Sequence, residues 1–156
     1  WGPDMNWHVR RSLALTGRTI ASLRVWDILR GIQALRSMPL VDNNKILIAA
    51  EKDMTVPALY AALLDGNIWG LVLKDPPASQ NIASNPDGSD NQIEIINSLR
   101  HTDLSQVAGL IWPTKLIFLG HRPESYHWAE KVHQDLGEPG GVWRVSGLSD
   151  WITHLP

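Results

Sequence analysis

Cysteine is absent from the 156-residue chain, which removes disulfide staples, thiolate metal ligands and cysteine nucleophiles together and leaves the redox compartment undetermined. No run approaches the roughly 18 consecutive apolar residues of a membrane-spanning helix, and the start lacks the basic, apolar, small-residue order of a secretion signal. A soluble chain with no membrane partner is therefore expected. Cations are not in excess either, because 14 Lys and Arg face 16 Asp and Glu for a formal charge of -2. Gripping a phosphate backbone requires clustered Lys and Arg, so nucleic acid is not an expected partner.

What is present fits one domain over residues 1–156, a length that supports a real hydrophobic core. The first residue is Trp1 rather than Met, which points to a processed product, a trimmed chain or a piece of a longer one. From Thr19 to Arg36 the apolar residues Val25, Ile28, Leu29, Ile32 and Leu35 recur at the spacing of one helical stripe. Pro39 stops that helix, Asp42-Asn43-Asn44 forms a turn, and the short apolar run Lys45 to Ala50 reads as a strand buried on both faces. Ile68 to Leu73, Lys115 to Leu119 and Val142 to Val145 read the same way. Between them, Pro57 to Leu64 and Ser125 to Leu136 carry helical patterns that end at Gly66 and Gly137. Strands alternating with helices imply a parallel sheet with right-handed crossovers. The expected class is α/β, a three-layer αβα arrangement around a mostly parallel sheet of about four strands. The polar stretch Pro76 to Asn91 then falls at the carboxyl end of the second strand, the edge where such sheets collect ligands.

Several strings sharpen this outline. Arg10-Arg11, Thr16-Gly17-Arg18, Arg24-Val25-Trp26-Asp27 and Ala58-Leu59-Tyr60-Ala61-Ala62-Leu63-Leu64-Asp65, in that order, resemble the segments around the nucleophile strand of bacterial acetyl xylan esterase-like proteins. The resemblance, to the C-terminal half of an α/β-hydrolase, covers almost the whole chain and implies a serine carboxylester hydrolase ancestry, a carbohydrate ester as ligand and a secreted or periplasmic setting.

The family's catalytic serine sits on a strained strand-to-helix turn, G-x-S-x-G. Counting back from the Ala-rich helix places that turn at Ala50-Glu51-Lys52-Asp53-Met54, with Ala50 and Met54 replacing the glycines and Lys52 replacing the serine. A left-handed lysine costs on the order of 1–3 kcal/mol, so an ordinary, solvent-exposed turn is expected, with Ile46 to Ile48 buried behind it. Glu51 and Asp53 beside Lys52 favour its charged form, against a nucleophilic or basic role. The acid position after the third strand reads Gly120-His121-Arg122-Pro123-Glu124, leaving Glu124 as the nearest carboxylate. After the last strand, Ser146-Gly147-Leu148-Ser149-Asp150 has Leu148 where the resemblance implies histidine, and His154 comes near the terminus. Glu124 and His154 are thus weak candidates beside a vestigial elbow, and no catalytic set is complete.

His121, His127 and His133 lie six residues apart, which does not align them on one helical face as zinc ligands; surface or capping roles are expected, with no metal and no cofactor. Of the eight tryptophans, Trp26, Trp69, Trp112 and Trp143 lie in or beside apolar runs and are expected in the core rather than on a sugar-stacking surface. The resemblance places an earlier strand beside the nucleophile strand. Without it, Lys45 to Ala50 is an apolar edge that favours pairing, with a copy of itself, with the complementary N-terminal half of the fold, or with the chain's own Trp1 to Gly17. Three functions are compatible with the sequence: a non-catalytic esterase-derived domain that associates, a carbohydrate acetyl esterase completed by a partner chain, or a small-molecule-binding α/β domain. Against the third, no G-x-G-x-x-G comes after a strand.

Overall fold

A computed structural model describes residues 3–83, 92–147 and 150. Two helices lead, α1 (Pro3–Leu15) and α2 (Ile20–Arg36), and the rest alternates: β1 (Leu47–Glu51), α3 (Thr55–Asp65), β2 (Gly70–Lys74), α4 (Leu104–Leu110), β3 (Lys115–Leu119), α5 (His127–Asp135) and β4 (Val142–Val145). The four strands form one parallel sheet in the order β1-β2-β3-β4. This is the expected α/β class, a four-stranded parallel sheet flanked by helices.

Local chemistry sets the boundaries. Thr19 caps α2 reciprocally with Ser22: the Ser22 N–H donates to Thr19 Oγ1 at 3.1 Å and the Thr19 N–H to Ser22 Oγ at 2.9 Å. Asp103 does the same for α4 with Gln106. Gly66 ends α3 with φ 70°, the left-handed closure that glycine adopts freely. The first two strands start two residues later than the apolar runs predict. The Lys45 N–H is committed to a turn, donating to the Asp42 carbonyl at 3.0 Å, and pairing begins only where the Trp69 N–H reaches the Ile46 carbonyl.

Because chain order equals strand order, right-handed crossovers bring the connecting helices to one face. Leu71, Leu73, Leu116 and Phe118 there join Val56 and Leu59 of α3, Leu104 and Val107 of α4, Ala129 of α5 and Ile32 of α2 in the main core. The opposite face carries a smaller cluster of Val72, Ile117 and Val145. An ion pair at the end of α2 fixes the direction of that helix. Arg36 there grips Asp65 at the end of α3 through two hydrogen bonds of 2.6 and 2.7 Å. Since α3 runs back from the carboxyl edge of the sheet, the start of α2 lies on the carboxyl-edge side.

Candidate functional site

Successive strands leave the sheet through the same kind of residue. Lys52 after β1 has φ 51°, Asp75 after β2 has φ 48°, and Gly120 after β3 has φ 81°. The register aligns Glu51 with Lys74 and Lys74 with Leu119, so these three residues stand in a row along the carboxyl edge. Ser146 continues the row past β4, whose Val145 pairs with Leu119.

The turn at Lys52 is not the ordinary one expected. Glu51 is extended, Lys52 is left-handed, and Thr55 opens α3 while its hydroxyl donates to the Lys52 carbonyl at 2.6 Å. The strand-to-helix turn is thus sharp although the residue on it is lysine; burial of Thr55 and Val56 at the start of α3 holds the turn from behind. Exposure of Glu51, Lys52 and Asp53 is as predicted. Behind them Ile46 is buried, but Leu47 and Ile48 are only half-buried, because β1 lies at the edge of the sheet and its outer side meets no described strand. Glu51 and Lys74 form an exposed ion pair of 3.0 Å across β1 and β2, which holds the Glu51 carboxyl below and the Lys74 ammonium above its ordinary range.

The remaining candidates do not converge. Glu124 is exposed on a short turn (Glu124–Tyr126) before α5, and His154 lies outside the described residues, as does Ser149. Ser146 donates to the Asp150 carboxylate, and Arg144 Nε donates to the Gly120 carbonyl at 3.0 Å beside an open groove of about 620 Å³. His121 and His127 are exposed, the latter 3.1 Å from Glu130. His133 departs from the expected surface role: it is 1 % exposed, neither ring nitrogen has a hydrogen-bond partner among the described residues, and burial lowers its pKa while Glu138 opposes the shift. No three metal-ligating side chains cluster among the described residues, and no described helix is long and apolar enough to cross a membrane.

The tryptophans divide otherwise than predicted. Trp69 and Trp143 are half-buried on either side of Lys115, whose ammonium sits 5.0 and 5.3 Å from their ring centroids. Trp26 and Trp112 are exposed, because α2 turns Val25, not Trp26, toward the core. Arg30 stacks on Trp26 at 4.0 Å, which occupies one face of that indole.

The stretch after β2 is anchored where it is described. Gln80, 4 % exposed, receives the Tyr60 hydroxyl at 2.7 Å and donates to the Ile93 carbonyl at 2.8 Å. Asp103 accepts from the Gln80 N–H while capping α4. Tyr126, buried against Phe118, donates to the Pro77 carbonyl, and burial raises its phenol pKa. These bonds position a wall beside the start of α2 where the sequence pattern predicts only a polar loop.

A solved structure sharing this arrangement is an acetyl xylan esterase-like protein of Bacteroides fragilis, with a TM-score of 0.75 over 90 % of the present chain at 16 % identity. The fold is α/β-hydrolase-like. The chain spans 40 % of the length of that protein. No family model matches the sequence, and no curated protein matches it.

Proposed function

We propose that this chain is a non-catalytic, acetyl xylan esterase-like module corresponding to the C-terminal half of the hydrolase fold. The observation that carries the reading is Lys52: the left-handed strand-to-helix turn is in place, but the side chain on it is an exposed ammonium flanked by two carboxylates. A serine hydrolase needs at that position a hydroxyl, a base within hydrogen-bond reach and an oxyanion hole. Lysine supplies no hydroxyl, and no described histidine or carboxylate hydrogen-bonds to Lys52.

The expected result is no hydrolysis of a small activated acetyl ester above background. Converting Ala50→Gly, Lys52→Ser and Met54→Gly together restores the elbow's residue types yet leaves the serine without a base, so activity stays at background. Turnover proportional to enzyme concentration and abolished by changing Ser146, Ser149 or His154 would overturn the proposal.

Association is the second half of the reading. The Ile46 carbonyl faces β2, and parallel pairing directs both peptide groups of a given residue to one side, so the peptide groups of Leu47 and Ala49 face outward. Described residues offer them no hydrogen bond. An open, largely apolar edge is a template for another strand, from a second copy or from the complementary N-terminal half of the fold. Light scattering of the isolated chain is expected to give a dimer or larger species; a monodisperse monomer with amides of β1 exchanging freely would refute self-pairing.

A further inference from the structure

We propose that the α1–α2 junction, closed by the returning chain at Glu94 and Ile96, is a binding site for a small carboxylate ligand with a ring-shaped, partly apolar body. The pocket has a volume of about 290 Å³ and is lined by Trp7, Arg10, Arg11, Arg18, Glu94 and Ile96, among others. It lies beside the start of α2, with Arg18 and Thr19 in its lining. Chain from two separate regions builds it. Arg24 Nη2 donates to Gln92 Oε1 at 2.8 Å, and Arg10 grips Glu94 at 2.7 Å, fastening the far end of the post-β2 excursion onto α1 and α2.

The charge is unbalanced at this spot. Arg10 is neutralised by Glu94, whereas Arg11 and Arg18 have no carboxylate partner among the described residues. The Arg11 guanidinium carbon sits over the Trp7 ring, 4.4 Å from the centroid, a cation–π contact that restrains the side chain. Residues 1–36 contain six arginines against two aspartates, while the rest of the chain has eight basic residues against fourteen acidic ones. Three of those six arginines, Arg10, Arg11 and Arg18, line this pocket with Glu94 as its one carboxylate, so the concavity is basic on an otherwise acidic molecule. The guanidinium fork matches a carboxylate with two parallel hydrogen bonds, and Trp7, Ala14 and Ile96 offer the apolar wall that a bare inorganic anion does not use.

The test uses the full chain at fixed ionic strength, titrated by calorimetry with sodium benzoate, sodium glucuronate, benzamide and sodium sulfate. The expected result is saturable binding of benzoate or glucuronate, weakened at least tenfold by Arg18→Gln and by Arg11→Gln; the tighter of the two carboxylates identifies the body as aromatic or sugar. Both arginines are exposed, so the variants should keep the parent circular dichroism. Benzamide binding as tightly as benzoate, sulfate binding as tightly as both carboxylates, absence of saturation, or an Arg18→Gln titration indistinguishable from the parent would each overturn the site.

Discussion

Lys52 holds a backbone conformation that costs a non-glycine residue about 1–2 kcal/mol. Glycine would relieve that strain but lose more freedom on folding, so Lys52→Gly should raise stability by up to about 1 kcal/mol in chemical denaturation. A loss instead would mean that the lysine side chain stabilises the turn. His133 gives a pH signature. Its folded-state pKa lies below the ordinary 6.5, so as pH falls through that value the unfolded chain takes up the proton first, and stability declines with falling pH. Denaturation midpoints should drop between about pH 7.5 and 5.5, the range around the ordinary histidine pKa. His133→Leu, which replaces an imidazole with no hydrogen-bond partner, should flatten that slope. The same pocket is closed by Gly141, where an added Cβ would collide with the imidazole; Gly141→Ala should cost about 1–3 kcal/mol through overpacking.

At the scale of elements, Asp103 joins α4 to the post-β2 chain, capping the helix while accepting from Ser79 and Gln80. Removing a cap costs about 1 kcal/mol, and stranding the Gln80 N–H adds about 1–3 kcal/mol. Asp103→Ala is therefore expected to destabilise the chain more than Thr19→Ala, which removes a cap alone; comparing the two denaturation curves checks this. These caps also show what the sequence disclosed. Long stripes such as Val25 to Ile32 and dense runs such as Lys115 to Leu119 named α2, the strands and their parallel order, because deep burial forces a period on the residues. The sequence pattern does not reveal two helices: α1 interleaves six polar with seven apolar residues, and α4 has only seven residues. The Asp103-x-x-Gln106 capping box was the readable signal for α4. At the site, the sequence identified the position of Lys52 but not its conformation, which depends on packing at Thr55 and Val56. The Arg18 pocket was equally hidden, since it joins residues 84 positions apart, Arg10 and Glu94.

At the scale of the whole molecule, the proposed association turns on β1. Ala49 is exposed, and its peptide group faces outward. A lysine on an edge strand discourages pairing with a second sheet, while a surface substitution of this kind changes folding stability by no more than about 0.5 kcal/mol. Ala49→Lys should therefore shift the light-scattering mass toward the monomer with an unchanged denaturation midpoint at low protein concentration. An unchanged mass would move the association surface away from β1.

The coincidence of strand order with chain order also has a kinetic side. Each new strand docks beside the one made just before it, but the paired residues lie 23, 45 and 26 positions apart (Leu47 with Gly70, Gly70 with Lys115, Leu116 with Val142), and parallel pairing at such separations is intrinsically slow. Among the described residues growth proceeds away from β1, and no described strand returns to cover it. If the proposed association runs through β1, the outer side of this strand can meet other copies of the isolated chain during refolding. Refolding yield should accordingly fall steeply as protein concentration rises, and a short peptide able to lie along Leu47–Glu51 should restore it.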